Sequence, residues 1–217
     1  MTNSITLKTF NPALYSGAEF NVWSISIIII IGFIIFTFFL LYSKPLIAII
    51  KAKQTAKRIQ VIFKNDSFWN ADKLEKASRK YLIYFYKQLS IENIEELKNF
   101  VTDNFHKELY KKLEQNKEQN LHIQYNSINI RLAELTSIKD FINNDKDTFT
   151  VYFEGYWKRI STEINSGKTI RDNSISSKEF SIKADFIRVG NELKIDQIVE
   201  STSIRQLKSE ISYIEND

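Results

Sequence analysis

The sequence contains no cysteine, and it has few glycines, prolines and histidines. The absence of cysteine excludes disulfide bridges and thiolate metal sites. Five glycines, spread singly along the chain, leave no glycine-rich phosphate loop, and only two prolines favour long regular elements over a loop-rich chain. Isoleucine, lysine and asparagine are abundant instead. A chain of 217 residues with this composition has room for one ordinary domain and a small accessory segment.

One long stretch near the N-terminus lacks charge. Between Glu19 and Lys44 lie 24 uncharged residues, most of them Ile, Phe and Leu, with Trp23 and Tyr42 at the two ends. About 20 such residues in a helix cover a hydrocarbon core of ~30 Å. A basic leader and a cleavage site are both missing, so removal as a signal peptide is not expected. We predict a short N-terminal segment over 1–21 and a retained transmembrane helix over 22–43.

Positive charge is concentrated directly after this stretch. Segment 44–64 holds six basic residues and no acid, whereas 23 basic residues face 25 acidic ones from Asp66 onward. The positive-inside rule then predicts an inner-membrane protein whose C-terminal part lies in the cytoplasm or in the mitochondrial matrix. A nucleic-acid reader would carry the basic excess on its folded domain, so direct binding of nucleic acid is not expected.

The same basic segment predicts a juxtamembrane linker helix over 44–64. Its lysines alternate with isoleucines, a composition typical of helices that lie on anionic lipid headgroups. A plain stop-transfer flank with no further role is the alternative. The candidate membrane-surface residues are Lys51, Lys53, Lys57, Arg58 and Lys64.

The remaining chain changes from helical to strand periodicity. Asn70 is a candidate N-cap for an amphipathic helix over 71–89; a shorter helix runs from Ile91 to Val101, and Thr102 caps a third. Alternating segments then predict strands around Ile128, Phe153 and Phe186, ending in a Gly190 hairpin. The fold class predicted for 65–200 is therefore α+β, with about three helices packed on a curved antiparallel sheet.

The last segment, 201–217, predicts an amphipathic helix. Ser203 is its candidate cap, and Ile204, Leu207, Ile211 and Ile214 share a stripe. Such a helix docks on its own domain or binds a partner, and docking is the commoner outcome.

The residues offer little support for catalysis. His106 and His122 each stand alone in the sequence, and Asp140, Asp145 and Asp147 lack the glycine and glutamate of a calcium loop. A curved sheet packed around its first helix leaves an apolar concavity, here lined by aromatic residues that predict either a partner groove or ordinary core packing. We therefore predict a non-enzyme with no cofactor and no metal. The candidate groove residues are Tyr81, Phe85, Phe153, Trp157 and Phe186.

Several blocks in serial order resemble the Tim-forty-four-like family. They are DSFWNAD at 66–72, LSIENIEELK at 89–98, TDNF at 102–105, DKDTFTVYF at 145–153, SGK at 166–168, and FIR at 186–188 before Gly190. The family includes the tether of the mitochondrial import motor, a mitochondrial large-ribosomal-subunit protein and bacterial single-pass homologues. In this chain Ala184 and Leu193 lie where the family usually has tryptophans, so a pocket would have a different shape.

The resemblance implies the cone-shaped fold of nuclear transport factor two, attachment to a bilayer, and a scaffolding or tethering role. The leading hypothesis is a membrane-anchored, non-catalytic module that tethers a protein partner or assembly to the inner membrane, in protein translocation or as a subunit of a membrane complex. One alternative is a bitopic assembly subunit of a type IV secretion or conjugation channel. Another is a purely structural subunit of an organellar membrane or ribosomal complex.

Overall fold

The computed structural model describes residues 22–172, 177–190 and 192–215. The chain divides into two compact units, Met1–Tyr42 and Ser43–Asp217. A long helix, α1 (Val22–Ile62), contributes residues to both units. The predicted N-terminal segment 1–21 lies outside the described residues.

In the first unit, the large apolar side chains that the structure describes between Ile25 and Phe39 of α1 are exposed. Their exposed fractions run from 46% at Ile25 to 70% at Phe33. The hydroxyl of Thr37 donates to the carbonyl oxygen of Phe33 at 2.7 Å, so this polar group is paired within its own helix. By length and hydropathy, no single described helix qualifies as a membrane span; two segments joined by a bend, Ile25–Phe39 and Tyr42–Ile62, qualify as a pair.

Three helices open the second unit after α1: α2 (Ala71–Ser90), α3 (Ile94–Leu97) and α4 (Asp103–Glu118). The predicted caps are confirmed, because Asn70 accepts from the backbone N–H of Lys73 and Thr102 accepts from that of Phe105. The helix predicted from Ile91 to Val101 is wrong in length. Glu92 takes a left-handed φ of 53°, and the residues after α3 form turns that end in a bridge to the sheet.

Six strands form one curved sheet behind these helices. They are β1 (Leu121–Asp140), β2 (Thr148–Glu163), β3 (Thr169–Asp172), β4 (Lys178–Val189), β5 (Glu192–Glu200) and β6 (Tyr213–Ile214). The order is β5-β4-β2-β1-β6, with β3 also paired to β2. Every pairing is antiparallel except the short one between β1 and β6. The predicted α+β class is confirmed.

Alternation along β2 separates the two faces of the sheet. Phe149, Val151 and Phe153 belong to the main core, together with the buried face of α2, whereas Tyr152 belongs to a separate cluster. Because successive side chains of a strand point to opposite faces, the helices α2 and α4 cover one face and Tyr152 marks the other.

The predicted C-terminal helix over 201–217 is corrected by the structure. Within its described part, residues 201–215, only α5 (Ile204–Ser209) is helical, with a capping box between Ser203 and Gln206. Glu210 then takes an extended conformation that leads to β6. The predicted apolar stripe is divided as a result: Leu207 of α5 is buried, while Ile211 is 74% exposed. The segment nevertheless docks on its own domain.

Candidate functional site

The second part of α1, residues 43–62, packs against the sheet; we call it the basic helix. Ala48 is fully buried with Tyr152 of β2 and Leu207 of α5, and Ile47 and Leu132 pack at the rim of this small cluster. Because Tyr152 points away from the main core, the basic helix covers the opposite face of the sheet.

Further along, the basic helix reaches strand β1. The hydroxyl of Thr55 donates to the carbonyl oxygen of Thr136 at 3.0 Å, and both residues are buried. Ile59 and Ile62 are buried as well and join the main core. The basic helix is therefore held on the domain by buried apolar residues near both of its ends and by the hydrogen bond of Thr55 between them.

Residues 210–215, which we call the C-terminal strap, hold one side of the basic helix. The ammonium group of Lys51 donates to the carbonyl oxygen of Glu210, and the guanidinium of Arg58 donates to that of Ser212 at 2.6 Å. The strap is fixed to the sheet in turn, because the hydroxyl of Ser212 accepts from the N–H of Ile138 at 3.2 Å and β6 pairs with the end of β1.

A charged network lies beneath this contact. The Glu210 carboxylate accepts from Ser137 at 3.1 Å and pairs with Lys183 at 3.1 Å, and Lys183 also pairs with Asp185 at 3.2 Å. Asp185 accepts a further bond from the hydroxyl of Thr150 at 2.7 Å. Burial by itself would lower the pKa of Lys183, but the two carboxylates outweigh it and raise that pKa above its ordinary value.

The sequence pattern does not predict the residues of this network. Lys183 and Asp185 alternate along β4 with the buried residues Ile182 and Ala184, so their side chains lie on the other face of the strand. That alternation predicts that the face of β4 with Lys183 and Asp185 is exposed to solvent. Nothing in the sequence near these two residues predicts their contact with Glu210.

The five residues predicted to contact lipid headgroups fall into two groups. Lys51 and Arg58 bond to the C-terminal strap, and burial lowers the pKa of Lys51 against the influence of Glu210. Lys53, Lys57 and Lys64 are exposed and, within the described part of the chain, have no hydrogen bond or ion pair. Lys53 and Lys57 are one turn apart, so they share the outward side of the basic helix.

The five aromatic residues predicted to line a partner groove are core residues in the structure, which corrects that prediction. Phe85, Phe153, Trp157 and Phe186 are buried, and Tyr81 is partly buried against them. Their rings pack on other core rings: Phe186 stacks on Phe149 with centroids 5.0 Å apart, and Trp157 lies 4.6 Å from Phe180. The alternation of apolar residues that predicted a groove therefore belongs to strands and a helix that fill the core.

A second charged cluster ties the segment that follows α1 to the sheet. Arg188 of β4 donates to the Asp66 carboxylate and to that of Asp147, the latter at 3.3 Å, and its guanidinium lies 4.3 Å from the centre of the Phe68 ring. Asp66 and Arg188 belong to two separate blocks of the sequence resemblance, and the fold brings them into contact.

Asp147 is the most buried acid of this cluster, with no exposed surface. Burial raises its pKa to about 6, and the charge of Asp140 acts in the same direction. The N–H of Phe141, which donates to Asp147 at 2.8 Å, and the guanidinium of Arg188 act against this rise. The cluster thus holds a carboxylate whose charge depends on Arg188.

The two histidines have different surroundings. His122 lies 2.7 Å from the carboxylate of Glu92, so the expectation that it stands alone is wrong, whereas the ring of His106 contacts the carbonyl oxygen of Ile94 at 3.1 Å. Among residues 22–172, 177–190 and 192–215, no group of three or more His, Asp or Glu side chains is placed to hold a metal ion.

Comparison with known proteins gives similarity to solved structures but no match in sequence. No protein-family model matches the chain, and no curated protein matches it in sequence. Among solved structures, the chain is similar to the crystal structure of the intermembrane space region of the chloroplast protein ARC6, with a TM-score of 0.42 and 10% sequence identity. The match covers 59% of this chain and 97% of that one. A similarity of this size does not define a family for the chain.

Proposed function

We propose that the chain is a single-pass, membrane-anchored tether that holds a protein partner or assembly at the inner membrane. The observation that carries the proposal is the row of exposed apolar side chains between Ile25 and Phe39, in a stretch without any charge. Apolar surface left in water costs roughly 25 cal/mol per Å², and a bilayer removes that cost. The internal pairing of the Thr37 hydroxyl suits a helix in hydrocarbon, where water is absent.

The side of the membrane follows from the flanking charge. All six basic residues of segment 44–64 follow the apolar stretch, and Lys8 is the only basic side chain before it. The second unit is therefore assigned to the cytoplasmic or mitochondrial-matrix side. On this assignment the exposed Lys53, Lys57 and Lys64 contact anionic headgroups, while Lys51 and Arg58 hold the strap.

A non-catalytic role suits the chemistry of the domain. Its buried charged residues form structural contacts, as in the Glu210–Lys183–Asp185 network and the Arg188 cluster. The assignment to the Tim-forty-four-like family, with its cone-shaped fold and tethering role, rests on the serial order of the sequence blocks and forms part of the proposal.

Membrane extraction and copurification test the anchor and the tether together. We expect the chain to resist alkaline carbonate extraction, and to copurify with a stoichiometric protein partner after mild solubilisation. A reporter fused after Asp217 distinguishes the secretion-channel alternative: alkaline phosphatase activity there would favour it, and fluorescence of a cytoplasm-only reporter would exclude it. Release by carbonate, or recovery of a bare monomer in every detergent, would contradict the proposal.

Changing Lys53, Lys57 and Lys64 to Gln together should weaken the contact with anionic lipid without releasing the protein. Each basic residue near an anionic surface contributes up to ~1 kcal/mol, so the apolar span alone still retains the chain. We expect faster amide exchange over residues 45–63 on anionic vesicles, and no difference from the unmodified chain on neutral ones.

The matched control removes the same charge elsewhere, by changing Lys107, Lys111 and Lys112 of α4 to Gln. These three lysines are exposed on the far side of the domain core from the basic helix. If the two triple variants exchange at the same rate on anionic vesicles, the outward lysines of the basic helix have no special contact with lipid.

A further inference from the structure

The outward side of the basic helix carries apolar residues as well as lysines. Five residues at spacings of four, three, four and four form one stripe along it: Leu46, Ile50, Lys53, Lys57 and Val61. All five are exposed, and Val61 has 66% of its surface open. At 100° per residue, the stripe lies opposite the face that is buried on the domain. The basic helix therefore presents an apolar and basic surface away from the sheet.

The C-terminal strap adds two apolar side chains that also point away from the sheet. Its residues alternate in direction as those of a strand do. The side chains of Glu210 and Ser212 bond to residues of β1, and Ile214 packs against the main core. Ile211 and Tyr213 are the residues between them, and both are exposed. The strap is thus fixed by alternate residues and leaves the other two uncovered.

Hydrogen bonds hold this part of the strap next to the basic helix. Lys51 donates to the carbonyl oxygen of Glu210, and Arg58 donates to that of the residue two positions later. Glu210 also pairs with Lys183, which lies in register with Tyr152 on the sheet face that the basic helix covers. Helix and strap therefore form one surface on this face. We call it the outer patch: Leu46, Ile50, Lys53, Lys57, Val61, Ile211 and Tyr213.

The chemistry of the outer patch matches that of an anionic bilayer. Apolar side chains that share a helix face with lysines are typical of helices in the membrane interface. There the aliphatic part of each lysine is buried while its ammonium group reaches the headgroups. Tyrosine is enriched at the same depth. A second copy of this chain is a poorer match, because a two-fold contact joins identical surfaces and would bring the lysines of the two patches together.

Charge and position in the chain favour the same occupant. Segment 44–64 contains no acid, and the carboxylates of Glu210 and Glu215 in the strap accept hydrogen bonds from the domain itself. Leu46 follows Phe39, in the exposed apolar stretch, by seven positions. Seven residues span at most ~25 Å, so a stretch anchored in the bilayer keeps the start of the outer patch within reach of the headgroups.

We propose that the outer patch docks on an anionic bilayer, with its apolar side chains inserted into the membrane interface. This inference rests on the proposed membrane anchor and goes beyond it, because it assigns a lipid contact to the C-terminal end of the chain through Ile211 and Tyr213. A single span leaves the attached domain free to turn. Contact through both the helix and the strap fixes its orientation on the surface.

Site-specific labels on the full chain test the docking. Because the chain has no cysteine, Val61→Cys and Ile211→Cys each carry one NBD fluorophore at a known position. Both are reconstituted into vesicles of phosphatidylcholine and phosphatidylglycerol in which some acyl chains carry a nitroxide quencher. We expect both labels to lose most of their fluorescence. The loss should be smaller in vesicles of phosphatidylcholine alone, because the attraction between the lysines and the surface is then absent.

Two further labelled variants are the controls. Tyr110→Cys puts the label on an exposed residue of α4, which packs on the opposite face of the sheet, and it should stay fluorescent. Ile30→Cys puts the label in the exposed apolar stretch, and it should be quenched if that stretch spans the bilayer.

The four labels separate failure of the docking from failure of the anchor. Quenching at Ile30→Cys without quenching at Ile211→Cys would overturn the docking and leave the anchor standing. Equal quenching at Tyr110→Cys and Ile211→Cys would also overturn it, because the contact would not depend on the outer patch. A label at Ile211→Cys that is blue-shifted but unquenched would mean that protein, rather than lipid, covers the patch. Absence of quenching at Ile30→Cys would overturn the anchor and the docking together.

Discussion

Replacing Gly155 with alanine is expected to destabilise the domain by about 3 kcal/mol, at the upper end of the cost of overpacking a core. A Cβ atom at Gly155 would lie 2.0 Å from the carbonyl oxygen of Asn129 and 2.7 Å from Cζ of Phe180. The first of these atoms is backbone and lies at the β-bulge of β1 between Asn126 and Asn129, so it can move only if the bulge itself moves. Gly155 is therefore the residue that lets β1 cross β2 this closely.

Urea unfolding followed by the fluorescence of the buried Trp69 and Trp157 measures this effect. Gly32→Ala is the matched control, because a Cβ there meets no atom within 4 Å. A midpoint for Gly155→Ala equal to that of Gly32→Ala would contradict the close approach of the two strands. A smaller loss, accompanied by faster amide exchange over residues 127–129, would mean that the bulge has shifted to make room.

Replacing Arg188 with methionine is expected to lower the free energy of unfolding by about 3–5 kcal/mol near neutral pH. This is the usual cost of removing one partner of a buried ion pair. The substitution leaves the fully buried Asp147 carboxyl with the N–H of Phe141 as its one remaining donor among the described residues, and it also removes the partner of Asp66. Arg205→Met is the control, because Arg205 is exposed on α5 and, within the described residues, has no ion pair.

The stability lost in Arg188→Met should become smaller as the pH is lowered from neutral. In the unmodified chain, the pKa of Asp147 is raised to about 6 from an ordinary value of 3.8. Between these values the folded state holds a proton that the unfolded state has released, so the free energy of unfolding contributed by this residue falls as pH rises. Arg188→Met removes a charge that lowers this pKa, so part of its stability loss should be recovered on acidification from neutral pH toward pH 5.

Asp147→Asn provides the second arm of that experiment. It removes the titrating group while keeping an oxygen that can accept from Phe141, so unfolding should vary less with pH between about 4 and 6. The double variant Arg188→Met/Asp147→Asn should be more stable near neutral pH than Arg188→Met alone. Equal pH profiles for all of these variants would show that Asp147 titrates alike in the folded and unfolded states.

Local signals in the sequence were sufficient where a single residue decides the structure. The cap residues Asn70 and Thr102 are recognisable because their side chains satisfy N–H groups only three positions away. Ser203 was also recognised as a cap, but the end of its helix was not. Glu210 leaves the helix to meet Ser137 and Lys183, partners more than 25 residues away that the local pattern does not report.

Burial was harder to predict than secondary structure. The aromatic residues of α2, β2 and β4 have the same alternation whether they line an open groove or fill a core, and only the packing of Phe149 and Phe105 against them decides the matter. The basic helix posed the opposite problem. Its lysines predict contact with lipid headgroups, but they do not predict that Ala48, Thr55 and Ile59 form a narrow face buried against the domain.

The C-terminal strap can hold the basic helix only after the ribosome has synthesised the end of the chain. Lys51 and its partner Glu210 are 159 positions apart in the chain. At ~5–20 residues per second, synthesis of Glu210 follows that of Lys51 by roughly 8–30 s. On the proposed topology, Lys51 and Arg58 are therefore unbound when the apolar stretch enters the bilayer, and their charge contributes to its orientation. Once the strap is made, the same two side chains exchange this early role for a permanent one in the folded domain.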